Sequence, residues 1–489
     1  MLFNSFEFIV VFLPATLVLY YLLGRAGKPW LPIGWLVVAS LVFYAWWNPA
    51  YLLLIVGSMV FNYSLGRRLA RPSKSRWMLT LGVAANLLLL GYYKYAGFFA
   101  ANLNTLLGTT FDVGTIVLPL AISFFTFLQI AYLVDSYRGI AVESSFLSYT
   151  LFVTYFPHLV AGPLVHHLEL LPQFARKHAY RFLMENVVVG LAIFAIGLFK
   201  KVGVADTIAV HATPVFSMAD AGTGMSFWLA WQGALAYTFQ LYFDFSGYAD
   251  MAVGLSKMFG ILLPINFDSP YRSVNIIDFW RRWHITLSRF LRDYLYFALG
   301  GNRRGKARRH ANLFLTMLLG GLWHGASWNM IVWGAMHGSY LVINHAWQAL
   351  RGERAPTRIG TASAMLVTFV AVVFGWVFFR AGTLGGALVL VQSMVGADGW
   401  TIAGVSKRAV LLIAVCSVAC VALPNTQTIF AAYHPALGMK RKADAGELPT
   451  LRIDWRPSSS WSVSTAALIC ASFYFMATRG YAEFIYRFF

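Results

Sequence analysis

The chain has 489 residues, of which 59% are hydrophobic and only 12% charged, against about 25% charged in an average soluble protein. So few charges cannot coat a soluble body of this size, which excludes a water-soluble enzyme, and the same numbers exclude a disordered chain. The net charge of +19, from 38 basic and 19 acidic residues, reads in so apolar a chain as cytoplasmic loops obeying the positive-inside rule rather than as a nucleic-acid surface. Such loops also attract anionic lipid headgroups or a phosphorylated cosubstrate.

A helix needs about 20 apolar residues to cross a bilayer. Phe6–Leu23, Trp30–Trp47, Tyr51–Leu65 and Met78–Tyr95 come first. No small-residue cleavage site follows the first run before Gly24, so it reads as its own insertion signal. Thr115–Val134, Phe146–Val165, Val187–Phe199, Ser226–Phe243 and Met251–Leu263 follow. Beyond a polar stretch come Ala311–Leu322, Trp328–Trp347, Ala364–Phe379, Val410–Leu423 and Val463–Ala477. Prolines and glycines around Pro119 and from Pro157 to Pro163 mark kinked or re-entrant pieces, tolerated at membrane depth only where protein or water surrounds them. The expectation is an all-α polytopic membrane protein with about 11 crossings plus re-entrant and interfacial helices. The basic cluster Arg67, Arg68, Arg71, Lys74 and Arg76 marks a cytoplasmic loop, as do Arg25 with Lys28 and the run Arg176–Arg181. The stretch Asp278–Arg309 is too charged to cross lipid and reads as an amphipathic interfacial helix followed by a Gly-rich basic loop. The whole chain, 1–489, reads as one integral-membrane domain: N-terminal helices in 1–110, a catalytic core in 111–347, and C-terminal helices in 348–489 with a polar loop at 424–460. Cys416, Cys420 and Cys470 lie in apolar runs and read as packing residues, and no Cys/His spacing suits a metal.

Ionisable residues inside apolar surroundings cost about 2.5–3.5 kcal/mol each to insert, so they mark the places to look for chemistry. His324 sits in Gly320–Gly321–Leu322–Trp323–His324–Gly325–Ala326–Ser327–Trp328–Asn329, between two apolar helices. A buried neutral imidazole is a competent general base; the other reading is a structural histidine bonded to a carbonyl at a helix break. Around it Trp323, Ser327, Trp328 and Asn329 are candidates for lining a substrate path. The segment Asp278–Ser288 carries His284, which shares a helical face with Trp280 and Ser288 at i−4 and i+4. His284 reads equally as a second reactive residue or as part of an interfacial anchor. A third cluster, Tyr242–Asp250, offers Asp244 and Ser246 for the path, or Asp244 and Asp250 for salt bridges that position helices. His158, His166, His167 and His337 read as satisfied structural histidines, and Lys200 and Lys201 as snorkelling helix-end residues. Arg281, Arg282, Arg289, Arg303 and Arg304 are candidates for donor phosphates, or ordinary positive-inside residues. With no GxSxG, P-loop or HExxH, direct acyl transfer from an activated carbonyl to a hydroxyl is the reaction that two buried histidines suit.

Taken together, several pieces resemble the membrane-bound O-acyltransferase (MBOAT) family, and within it the bacterial alginate O-acetyltransferase branch. They are Met1–Phe8, Leu118–Phe127, Ala161–Pro163, Phe243–Tyr248, Asn266–Tyr271, Asp278–Ser288 and, above all, Gly321–Trp328. Similarity runs from the first residue to about Trp347. The resemblance implies a helical ring around a tunnel joining the two membrane faces of a bacterial inner membrane. It puts the family's near-invariant histidine on His324 and its second position, often His or Asn, on His284. It also implies acetyl transfer from a cytoplasmic donor, acetyl-CoA, to an exported polysaccharide, with no bound cofactor or metal. A separate extracytoplasmic acetyltransferase of the SGNH type is the implied partner. The competing readings are an acyl conduit that hands its cargo to that partner, and a transporter; the sequence lacks the paired halves a transporter tends to have.

Overall fold

A computed structural model of the protein describes every residue except 73, 141–144, 353–356, 440–452, 481 and 486–489. The described residues contain helices and no β-strand, as the apolar runs require of a backbone that must satisfy its own hydrogen bonds in lipid.

A π-helical turn, Glu7–Phe12, leads into α1 (Leu13–Gly24); α2 (Trp30–Ala45), α3 (Tyr51–Leu69) and α4 (Arg76–Leu90) follow. A second π-helical turn, Gly91–Tyr95, joins α4 to α5 (Ala96–Leu107). The basic ends of these helices meet. A Cβ on Gly24 would lie 2.9 Å from Tyr180, which brings Arg25 beside the run Arg176–Arg181, and a Cβ on Gly139, after α6 (Ile122–Arg138), would lie 3.4 Å from Lys74 Nζ. The basic residues that the positive-inside rule assigns to loops thus lie on one side of the helical body.

The expected spans at 115–134 and 146–165 are shorter helices with irregular approaches. Residues before Ile122 are non-helical, and the second stretch is α7 (Phe146–Thr154), a single turn α8 (Phe156–Leu159) and a loop to α9 (His167–Phe174). All of Tyr149–Val165 is buried, so protein surrounds this broken backbone, as membrane depth demands. Next, α10 (Met184–Phe199) runs through a π-helical turn, Lys200–Ala205, into α11 (Asp206–Asp220).

Two expectations fail here. The spans 226–243 and 251–263 are one helix, α12 (Phe227–Met258), 32 residues long. The acidic residues that suggested a break have buried partners instead: Lys201 Nζ lies 2.6 Å from Asp244, and Lys200 Nζ lies 2.6 Å from Asp250. Lys200 and Lys201 therefore do not snorkel. The helix packs antiparallel on α10 because facing glycines admit close backbones: a Cβ on Gly190 would meet Gly254 O at 2.5 Å, and one on Gly197 would meet Gly247 O at 2.6 Å.

The remaining helices are α13 (Ile276–Arg282), α14 (Ile285–Phe290), α15 (Gly305–His324), α16 (Trp328–Arg351), α17 (Arg358–Arg380), α18 (Leu384–Met394), α19 (Lys407–Ala422), α20 (Thr426–Ile429) and α21 (Ser459–Arg479). The amphipathic helix expected at the start of 278–309 is instead two short helices broken at Trp283–His284 and a π-helical turn, Leu291–Tyr296; turns through 304 follow, where the Gly-rich basic loop is expected. Much of the polar loop 424–460 falls on 440–452, outside the described residues; its start is the short α20.

Among the described residues, four helical stretches are long and apolar enough to cross a membrane, Glu7–Gly24, Met184–Asp220, Arg358–Arg380 and Ser459–Arg479. Large apolar side chains such as Leu53, Leu106, Ile359 and Val367 stand exposed on helix surfaces. Such a coat is costly in water and favourable in lipid. Cys416 and Cys420 are buried as expected; Cys470 is exposed on α21, which corrects its reading as a packing residue.

Candidate functional site

Helices α15 and α16 form a hairpin. A Cβ on Gly334 would meet Met317 O at 2.6 Å, so the two backbones touch. Gly325, with extended backbone, ends α15, and Ser327 starts α16 by accepting from Met330 N. The hairpin turn therefore places His324 at the last residue of α15, at the far end from the basic residues Lys306, Arg308 and Arg309.

His324 is buried in an aromatic cage. Its ring meets Trp323, Trp333 and Phe379 edge-on, with centroids 5.0, 5.1 and 5.3 Å away. Trp333 also meets the ring of His337, with centroids 4.8 Å apart, and Lys94 holds the carbonyl of Trp323, the residue before His324. His284 lies within electrostatic range of His324.

The mount of His284 differs from the expected helix face. His284 falls in the left-handed region, with φ 43°, between α13 and α14, so it shares no helical face with Trp280 and Ser288. A bulky residue held there stores strain that the surroundings must repay. Asn266 does so: its Oδ1 accepts from Thr286 N at 3.3 Å, Thr286 Oγ1 at 2.9 Å and His284 Nδ1 at 3.1 Å. A backbone N–H can only donate, so this atom is the amide oxygen. His284 therefore carries its proton on Nδ1 and turns Nε2, a proton acceptor, the other way. Thr286 Oγ1 in turn accepts from Leu164 N at 3.0 Å, tying the mount to the irregular segment after α8.

Lys94 and Tyr95, unremarked in the sequence, close the C-terminus of α15. Lys94 Nζ donates to Trp323 O and to Ser123 Oγ, and Tyr95 OH donates to Leu322 O at 2.8 Å. The last carbonyls of a helix lack intrahelical partners and carry partial negative charge, so a buried ammonium there fixes the turn that carries His324. No local pattern signals this; the π-helical turn that presents Lys94 is a tertiary feature.

His337 is the other omission. It is fully buried, 4.8 Å from Trp333 and 5.2 Å from Trp280 between ring centroids. Unlike a satisfied structural histidine, it has no hydrogen-bond partner at either ring nitrogen, and the same holds for Nε1 of Trp280, Trp323 and Trp333. A buried unpaired donor costs about 1–3 kcal/mol. Two of these indoles, Trp280 and Trp333, flank the His337 ring.

The other predicted residues scatter. Asn329 Nδ2 donates to Ala381 O at 2.7 Å, and Ser288 Oγ reaches Trp283 O at 3.5 Å. Trp328 is 54% exposed and donates to Asn102. Asp244 is committed to Lys201 and to Ile485 N, while Ser246 is buried on the same helix. Arg282 pairs with Asp278, and Arg289 forms a bidentate pair with Glu169 at 2.6 and 2.8 Å. Arg281, Arg303 and Arg304 are exposed. Beside Glu169, His166 meets Tyr294 OH at 3.2 Å, and burial, then the Arg289 charge, holds its pKa below the usual value.

Among the described residues no group of three His, Cys, Asp or Glu is arranged to hold a metal ion. An apolar groove of about 360 Å³ leads from Trp323 and Leu322 along Phe127, Leu291 and Phe290 to Tyr294.

Residues 108–381 match the profile of MBOAT, the membrane-bound O-acyltransferase family. The chain is 45% identical over 438 residues to a peptidoglycan O-acetyltransferase of Helicobacter pylori, covering 84% of this chain and 82% of the relative. It is 40% identical over 509 residues to a probable alginate O-acetylase of Pseudomonas putida, covering 99% of each. A teichoic acid D-alanyltransferase of Streptococcus thermophilus is 29% identical over 47% of this chain and 57% of its own length.

Proposed function

We propose, from the premise that this chain belongs to the membrane-bound O-acyltransferase family and is an O-acyltransferase, that it moves acetyl groups from cytoplasmic acetyl-CoA to hydroxyls of an exported polysaccharide across a bacterial inner membrane. His324 is the general base and His284 its assistant. The observation that carries this reading is the buried aromatic cage that Trp323, Trp333 and Phe379 form around His324, with His337 against the same Trp333. The names of the relatives, which modify alginate and peptidoglycan, support a glycan acceptor.

In the proposed step His324 takes the proton of an acceptor hydroxyl. The oxygen attacks the thioester carbonyl, the C–O bond forms, the C–S bond breaks, and the thiolate recovers the proton from the imidazolium. Neutral Nε2 of His284 accepts a hydrogen bond from the acceptor, and indole N–H groups face the developing negative charge. General-base assistance contributes on the order of 10²–10⁴-fold, and positioning in a dry cage the remainder. The tunnel implied by the family resemblance supplies both entrances, with the exposed Arg281, Arg303 and Arg304 on the donor side. An extracytoplasmic SGNH-type acetyltransferase is the partner proposed for this chain; in the alternative reading, an acyl conduit, that partner rather than this chain completes the transfer. His324→Ala, reconstituted with acetyl-CoA and polysaccharide, is expected to lose acetyl transfer while inserting normally; full transfer by that variant refutes the assignment.

A further inference from the structure

Helices α1 and α10 flank a groove of about 510 Å³. Its walls follow from helical spacing. Ile9, Leu13, Leu17, Tyr21 and Arg25 recur at every fourth residue on one side. Val187, Leu191 and Phe194 recur at steps of four and three on the other. Met258, the last residue of α12, closes the floor, and its carbonyl accepts from Tyr21 OH at 2.5 Å. That bond satisfies the phenol. Among the described residues, Arg25 is then the only charged side chain on an otherwise apolar wall.

The two ends of the groove differ. Around Arg25 the surface is basic. Tyr20 OH donates to Ala179 O at 3.2 Å, and Phe182 meets the Tyr21 ring edge-on at 5.3 Å, which ties the run Arg176–Arg181 to this end. Arg25, Lys28, Arg176 and Arg181 are all exposed. Residues 8–28 and 176–194 together contain a single acid, Glu185. Toward Ile9 the walls carry no charge. From Arg25 to Ile9 the helical path is about 24 Å at ~1.5 Å per residue, with Leu17 about halfway. One leaflet fills about half of a hydrocarbon core ~30 Å thick, so an acyl chain entering beside Arg25 passes Leu17 and ends inside the groove. Basic pockets between membrane helices suit anionic headgroups, and a guanidinium fork suits phosphate. A free phosphate would leave the apolar walls unused, and a zwitterionic lipid would leave the basic excess unmatched.

We propose that this groove binds one anionic phospholipid, with its phosphate on Arg25, Arg181 beside it, and an acyl chain along Leu17 and Leu191. The site shares no residue with the aromatic cage of His324, and it holds whatever reaction that cage performs.

The test is native mass spectrometry of the purified full chain in detergent. The chain is titrated with dioleoylphosphatidylglycerol or dioleoylphosphatidylcholine, and the dissociation constant of the first bound lipid is read. Wild type is expected to prefer phosphatidylglycerol by about fivefold or more, the worth of one basic side chain at an anionic surface. Arg25→Gln should weaken phosphatidylglycerol about fivefold and leave phosphatidylcholine unchanged, and Arg25→Lys should keep most of the preference. Leu191 is exposed, so Leu191→Trp fills the groove without disturbing a core and should weaken both lipids. Arg68→Gln, at the basic end of α3, is the control and should change neither. Equal binding of the two lipids by wild type overturns the proposal. So does an unchanged phosphatidylglycerol affinity in Arg25→Gln, or in Leu191→Trp. An equal loss in Arg68→Gln overturns it as well, since the preference is then general charge attraction. Displacement of phosphatidylglycerol by an excess of inorganic phosphate assigns the site to the free ion and overturns the lipid.

Discussion

Lys94 offers the sharpest test of how the site is built. Lys94→Met keeps the length of the side chain and removes the ammonium that joins Trp323 O to Ser123 Oγ. A hydrogen bond from a charged donor contributes about 1.5–3 kcal/mol, and a buried carbonyl left without a donor costs about 1–3 kcal/mol. Loss of about 2–3 kcal/mol of restraint on the turn carrying His324 corresponds to a roughly 30- to 150-fold fall in kcat. Because Lys94 positions His324 rather than touching the acceptor, the acceptor KM should move little. Tyr95→Phe, which removes only the 2.8 Å bond to Leu322 O, should lower kcat by about 2- to 12-fold for a neutral bond of about 0.5–1.5 kcal/mol. The double variant should lose less than the product of the two, since both release the same helix end. Lys94→Arg should recover part of the activity. The assay is transfer of labelled acetyl from acetyl-CoA by purified protein. A Lys94→Met enzyme within twofold of wild type, or a loss confined to KM, refutes the capping argument.

Three further outcomes are expected. Asn266→Ala removes the acceptor of three donors around His284, so kcat should fall about 100-fold as the imidazole loses its orientation; measured transfer within a few-fold of wild type counts against a role for His284. Lys201→Met leaves the buried Asp244 and the half-buried Asp206 without this cation and should destabilise the protein by about 3–5 kcal/mol, seen as a lower melting temperature in detergent, with partial recovery in Lys201→Met/Asp244→Asn. Trp328→Phe loses only the exposed bond to Asn102 and should retain transfer within about twofold, as expected of a surface change.

The hairpin carrying His324 was legible because its signals are local. Two glycines precede His324, a glycine follows it, and Ser327 is a good N-cap placed to begin the next helix. The break at His284 was not legible. Trp283–His284 contains neither glycine nor proline, and the apolar period runs through it; the break is held by Asn266, distant in sequence. Helix α12 was cut in two for a related reason. Asp244 and Asp250 look like an end of an apolar run, and only their pairing with Lys201 and Lys200 on another helix makes them interior. Arg289 reads as a free phosphate ligand until Glu169 is found opposite it. Side-chain partners that arrive from remote segments leave no trace in spacing.

The ion cluster on α12 also constrains how the molecule is made. Asp244 accepts from Ile485 N at 3.0 Å, and Lys201 donates to Glu483 O at 3.0 Å. These bonds come from a segment synthesised 241 residues after Asp244. The central helix must therefore be inserted with part of its polar set still waiting, and the translocon or the half-built bundle has to shelter that charge until translation reaches the closing strap.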